Sequence, residues 1–270
     1  MGQMNKSLAF LRRDLLIQAS YRLDFIMRIF GILISVAIFN FISLILGGNI
    51  NPLLASYGGD YFTFALIGIA FFPLINLSSN SLSSAVTEYQ TTGTLEMLFL
   101  SPTPILPALL MSTLWKYCWA FLETLFYLAS AALLFSANLH WVSLLSCLLI
   151  VLATILANTG IGLINAAFVL VTKRGSPLER LLGLATYLLA GVYFPVQILP
   201  DWMRFFSSLI PSTYALNALR RALLQGSALS GVSGDLLALG AFTLVLLPIG
   251  LLAFRFAVHW AKTDGSLSVY

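Results

Sequence analysis

The sequence predicts an all-α integral membrane protein. Six transmembrane helices are expected, with an N-terminal amphipathic interfacial helix, a short amphipathic helix between spans 2 and 3, and re-entrant helices between spans 5 and 6. Three observations predict it. The 270 residues are 59% hydrophobic and only 9% charged, against about 25% charged in an average soluble domain, so much of the apolar surface must face lipid. Apolar runs long enough to cross a bilayer recur along the whole chain as a single domain, residues 1–270. The Lys and Arg residues gather at the ends of those runs.

Residues 4–22 interleave Lys6, Arg12, Arg13, Asp14 and Arg22 with Leu8, Leu11, Leu15 and Leu16. That spacing fits a helix lying in the interface, polar face to water. A solvated charged tail is the competing reading. The first apolar run follows this long charged segment, and no small-residue cleavage pattern comes after it, so no cleavable signal peptide is expected. Span 1 covers about Asp24 to Leu46, with Arg28 near its start and able to snorkel. Gly47, Gly48, Asn49, Asn51 and Pro52 then make a loop.

Span 2 covers about Tyr61 to Ala85 and is free of Asp, Glu, Lys and Arg. Pro73 should kink it, and Ser78, Ser79, Ser81, Ser83 and Ser84 give its second half a polar or helix-contacting face. Glu88 to Pro102 is a polar interruption before the next apolar block. Leu95, Leu98 and Phe99 recur at helical spacing while Glu88 and Glu96 stay polar, so residues 88–101 read as a small amphipathic helix. Gly93 loosens its middle, and Ser101-Pro102 ends it. An ordinary loop with chance periodicity remains the alternative.

Span 3 covers about Ile105 to Phe135 and contains Lys116 and Glu123. Seven residues apart, they share a helix face but are separated by about 10 Å of rise, so direct pairing is not expected. Each is either a functional intramembrane charge or a structural one, snorkelling or hydrogen-bonded. Ser136 to His140 forms a turn, and span 4 follows from about Trp141 to Val171. Asn158, Thr159 and Asn165 within it read as interhelical hydrogen-bond glue. A basic stretch, Thr172 to Arg180, precedes span 5, about Leu181 to Tyr193.

Residues 194–226 carry three prolines and two amphipathic pieces, about 201–209 and 212–224. They are too interrupted to span as one helix and read as re-entrant or interfacial. Span 6 runs from Leu236 to Phe254, closed by Arg255, and a polar tail ends the chain. With the N-terminus inside, Lys6, Arg12, Arg13, Arg22, Arg28, Lys173, Arg174, Arg180, Arg255 and Lys262 fall on the cytoplasmic side. Arg204, Arg220 and Arg221 fall outside. This asymmetry predicts both termini in the cytoplasm.

Two stretches resemble a known family. Glu88-x5-Thr94-Leu95-Glu96-x-Leu98-x-x-Ser101-Pro102 is similar to the cytoplasmic loop of type-2 ATP-binding-cassette (ABC) transporter permeases. So is Pro195-x-x-x-Leu199-Pro200-x-Trp202, followed by Ile210-Pro211-x-Thr213-Tyr214-Ala215-Leu216-x-Ala218-Leu219-Arg220. The resemblance implies that residues 88–101 are a coupling helix seated in a groove of a separate ATPase subunit. Glu88, Gly93, Thr94, Leu95, Glu96, Leu98 and Phe99 would then carry the coupling. It also implies extracellular helices before the last span, a homodimer or pair of permeases, two ATPase copies, and export across the cytoplasmic membrane. Asn40, Phe71, Asn76, Lys116, Glu123, Tyr187 and Tyr193 are the candidates for the translocation path, with plain packing the competing reading for the aromatics.

Absences in the sequence narrow the chemistry. There is no Gly-x-x-x-x-Gly-Lys-[Ser/Thr] phosphate loop, so no bound cofactor is expected in this chain, and ATP and Mg would belong to the partner subunit. His140 and His259 are the only histidines, and Cys118 and Cys147 sit inside apolar runs, so neither a metal site nor a disulfide framework is expected. The charge of +4 follows membrane topology and implies membrane lipids rather than nucleic acid as contacts. A stand-alone carrier or channel would show an inverted repeat, which is not evident. A membrane-embedded scaffold or enzyme is the remaining alternative.

Overall fold

The computed structural model describes residues 22–46, 60–100, 104–137, 140, 144–172 and 177–263. The predicted interfacial helix 4–22 and the polar tail lie outside the described residues, save Arg22 and the tail's first two residues. The described residues form helices α1 (Arg22–Ile45), α2 (Tyr61–Thr91), α3 (Leu95–Leu100), α4 (Ile105–Phe135), α5 (Leu144–Thr172), α6 (Pro177–Leu189), α7 (Asp201–Ser208), α8 (Pro211–Gln225) and α9 (Ser233–Thr263). Single 3₁₀ turns at Val196–Ile198 and Leu229–Val232 lead into α7 and α9.

Among the described residues five helices are long and apolar enough to cross a membrane: α1, α2, α4, α5 and α9. The sixth expected crossing, residues 181–193, is instead the 13-residue α6, too short to span alone. It ends at Leu189 because Gly191 turns the chain with φ +77. Two of the other expected spans are longer than expected, α2 at its end and α9 at both ends, where it starts at Ser233. α2 continues past Ala85 to Thr91, and α9 continues past Phe254 to Thr263.

The bundle is built around α2, which is the most buried of the five long helices. It starts where Asp60 caps it, accepting from the Phe62 and Thr63 backbone N–H groups at 3.1 and 3.2 Å. Ser43 at the end of α1 donates to the same carboxylate at 3.1 Å, fixing the α1 end against the α2 start. α4 and α5 flank α2, and α9 packs along α5. The α5–α9 contact depends on two glycines. A Cβ on Gly160 would lie 2.6 Å from the Leu246 carbonyl oxygen, and one on Gly250 would overlap the Gly160 carbonyl. Small residues let membrane helices approach this closely.

Buried polar side chains join the same helices. Ser79 in α2 donates to Asn158 Oδ1 in α5 at 3.2 Å, and Ser212 in α8 reaches the same oxygen at 3.4 Å. Asn165 Nδ2 donates to the Ser79 carbonyl and to Asn80 Oδ1 at 3.2 and 3.3 Å. Thr124 in α4 donates to the Ala70 carbonyl at 2.9 Å. Away from these seams, α1 presents Ile26, Phe30, Ile34, Ile38 and Phe41 outward along one face, each about half exposed or more. Such a face requires lipid or another apolar surface.

Candidate functional site

The region between α2 and α4 divides at Gly93. Thr91 ends α2, Gly93 adopts φ +66, and α3 begins at Leu95. Positive φ is cheap for glycine and strained for other residues, so the chain breaks there rather than bending within one helix. The single helix expected over 88–101 is therefore two pieces. Glu88 rides on the last turns of α2, and α3 is a six-residue helix.

The break is closed by local hydrogen bonds. The Thr94 N–H donates to the Tyr89 carbonyl at 3.0 Å, Gly93 N–H to Gln90 O at 3.1 Å, and the Thr92 and Thr94 hydroxyls meet at 2.8 Å. Gln90 ties the end of α2 to α5 by donating to the Val169 carbonyl at 3.4 Å. These contacts hold α3 in a fixed position relative to α2.

α3 has two faces. Leu95 is 4% exposed and packs with Leu82, Val86, Leu163 and Phe254, while Leu98 and Phe99 lie half-buried against the same cluster. Outward are Glu96, Met97 at 73% and Leu100 at 87% exposure. An exposed carboxylate beside two exposed apolar side chains on a docked helix is a surface that another protein can read. Glu88 is exposed too, but its carboxylate lies 3.5 Å from Lys116 Nζ of α4. Lys116 thus sits half-buried beside the α2–α3 break.

The proposed path residues separate into groups. Tyr187 of α6 and Tyr193 touch through their hydroxyls and rings, the centroids lying 4.8 Å apart. Phe39, beside Asn40, stacks on Tyr193 at 5.3 Å, and Phe72, beside Phe71, meets Tyr187 edge-on at 4.5 Å. Phe71 itself is buried, whereas Asn40 is half-buried. Asn76 lies elsewhere, in the wall of a cavity of about 260 Å³ between α2, α5, α6 and the α7–α8 corner. Asn80 Nδ2 donates to Asn76 Oδ1 at 3.2 Å, linking that wall to Asn165. Glu123 is half-buried on α4.

A model of the ABC-2 type transporter family matches residues 7–224. This chain belongs to the ABC-2 type transporter family. The match takes in α1 through most of α8, so the ABC-2 assignment covers the α2–α3 break and the buried helices that follow it. The ABC-2 chain is also 28% identical over 118 residues to the linearmycin resistance permease protein LnrN of Bacillus subtilis (strain 168). That alignment spans 44% of this chain and 31% of the relative's length. With five apolar helices of spanning length, this ABC-2 permease is a multi-pass membrane protein.

The sequence sorts Arg220 by its charge to the outer side and does not foresee its burial. Arg220 of α8 is 1% exposed. Its guanidinium stacks 3.5 Å from the centre of the Phe64 ring and donates to the carbonyls of Phe64, Gly191 and Val192 at 3.2, 2.7 and 3.0 Å. The signal was present: Leu216 and Leu223, four before and three after, are buried on the same stripe. Arg221, one step round the helix, is instead half-exposed and 3.3 Å from Asp235. That contact is close enough for ion pairing but is not aligned as a hydrogen bond.

Proposed function

We propose that this chain is the membrane-spanning subunit of an ATP-driven exporter, with hydrolysis carried out by a separate ABC ATPase. The observation that carries the reading is α3, a helix locked to the bundle by Leu95 on one face and presenting Glu96, Met97 and Leu100 on the other. Because its inner face is anchored in the α2–α5–α9 core, a push on the outer face is transmitted to the bundle. A flexible loop would absorb it. ATP binding between two ATPase copies would shift the spans only through differential affinity for one conformation.

Further parts of the reading follow. The second permease protomer covers apolar faces such as that of α1, giving a homodimer with the path between protomers. ATP and Mg are bound by the ATPase, not here. Both termini and α3 face the cytoplasm, in the inner membrane, as the Lys and Arg distribution supports; the last turns of α5 and of α9 both lie at the α3 end, so α6 and the residues that follow it carry the chain back across between them. The cargo is a lipid, glycan-lipid, drug or similar molecule. LnrN is named for resistance to linearmycin, and a permease that confers resistance moves its compound away from the cell, which favours export.

The test is co-purification of the chain with its ATPase from membranes. Glu96→Lys with Leu100→Asp reverses the charge and removes the apolar contact on the outer face only. Captured ATPase is expected to fall at least tenfold, the equivalent of about 1.4 kcal/mol at an interface centre, while the chain stays inserted. Unchanged capture would mean that α3 is not the docking surface.

A further inference from the structure

At the α3 end of the bundle, α9 changes character along one stripe. Leu247 and Leu251 are followed at helical spacing by Arg255, His259 and Lys262. The three basic or imidazole side chains are exposed. They rim a cavity of about 630 Å³ whose other walls include Phe99 of α3, Ile105 and Leu106 of α4, and Phe254. Among the described residues no Asp or Glu lines this cavity, and none of the three has a carboxylate ion-pair partner. Lys262 Nζ lies 5.9 Å from the centre of the Phe99 ring.

A second cavity of about 460 Å³ adjoins the first. It is lined by Leu110 and Leu114 of α4, Leu156 of α5 and Leu247 of α9, and shares Leu106 and Leu251 with the basic cavity. The two adjoin along α4 and α9, the first cationic at the helix end and the second apolar deeper in. Leu247 to Lys262 is fifteen residues, or about 22 Å of helix. One leaflet with its headgroups is half of about 40–45 Å, which is the same length.

The geometry points to a bound anionic phospholipid, its phosphate among Arg255, His259 and Lys262 and one acyl chain in the groove between α4, α5 and α9. Charge complementarity selects an anion, the length selects a single-leaflet lipid, and the apolar continuation excludes a soluble phosphate as the natural occupant. Clustered basic side chains at a membrane surface recruit anionic headgroups in this way. The Phe99 wall makes the site adjacent to α3, so the lipid would brace the helix assigned above to ATPase docking. The lipid site rests on the membrane position of α4 and α9 and stands whether or not α3 docks an ATPase.

The test is native mass spectrometry of the full-length protein in detergent, titrated with palmitoyl-oleoyl phosphatidylglycerol, with phosphatidylcholine of the same chains, and with inorganic phosphate. Phosphatidylglycerol is expected to be retained more tightly than phosphatidylcholine. Arg255→Gln with Lys262→Gln is expected to weaken it about thirty-fold, each basic side chain contributing roughly a factor of five. Arg255→Lys with Lys262→Arg, which keeps the charge, should restore retention. Leu156→Trp, which fills the apolar groove, should also weaken retention, and millimolar phosphate should not compete. Equal retention of the two lipids, full competition by phosphate, or undiminished phosphatidylglycerol on the double Gln variant would each overturn the assignment.

Discussion

Arg220→Ala is the perturbation with the largest consequence that the structure allows to be worked out. The side chain is buried, and its donors serve three backbone carbonyls from two separate places in the chain, Phe64 in α2 and Gly191 with Val192 after α6. Truncation removes a donor from each carbonyl, at about 1–3 kcal/mol apiece, and the stacking on Phe64, about 2 kcal/mol when desolvated. Against this stands the dehydration of the guanidinium, several kcal/mol, which the variant no longer bears. Since only neutral carbonyls are left behind, the lost hydrogen bonds and stacking, set against that dehydration, leave a net loss of about 3–5 kcal/mol.

In a thermal-shift assay in detergent this loss corresponds to a fall in midpoint on the order of 10 °C for a chain of this size. Arg220→Lys should recover only part of it, because an ammonium cannot present the guanidinium's planar fork of donors. Gly68→Ala approaches the same station from the other side. Its Cβ would overlap the Val192 carbonyl oxygen and lie 3.0 Å from Arg220 Nη2, so it should destabilise as well. Arg221→Ala is the internal control. It loses a partly exposed pair with Asp235, at about 1 kcal/mol or less. A shift under about 2 °C for Arg220→Ala, or equal shifts for both arginines, would refute the reasoning.

Two further outcomes are expected. Gly250→Val should separate α9 from α5, since its Cβ already overlaps the Gly160 carbonyl and would lie 2.9 Å from Leu163 Cβ; the monodisperse fraction on size exclusion should fall sharply, whereas Gly240→Val, with nothing within 4 Å, should behave as the parent. Asn158→Leu removes the acceptor shared by the Ser79 and Ser212 hydroxyls and is expected to lower stability by about 1 kcal/mol, the measured scale for interhelical hydrogen bonds in a membrane protein, read by the same thermal shift.

The sequence carried the long apolar helices well because their determinant is local. α4 occupies Ile105–Phe135 as expected, since an apolar run between a proline-rich start and the Ser136 turn needs no distant partner to define it. Ser136 takes φ 52, and the Ala137 N–H closes back on the Ala131 carbonyl at 3.2 Å. The short amphipathic pieces were legible for the same reason. Pro200 and Pro211 mark the starts of α7 and α8, and Gly226 ends α8 in the left-handed conformation.

The misses share a different cause, which is a contact made from far along the chain. The turns after Ala85 read as the end of one span and the start of a separate helix at Glu88, yet they continue α2 to Thr91, where Gln90 reaches the Val169 carbonyl of α5 at 3.4 Å. α6 read as a crossing on apolar content, yet it stops at Leu189, and the carbonyls exposed by that stop are the ones Arg220 takes up. An arginine sorted by charge alone belongs at a membrane surface. Arg220 lies inside because the broken end of α6 and the α2 backbone together offer acceptors that lipid could not. The early end of α6 and the burial of Arg220 are therefore one event: remove the acceptors and the charge must leave the core, remove the charge and the carbonyls lose the donors that allow α6 to end there.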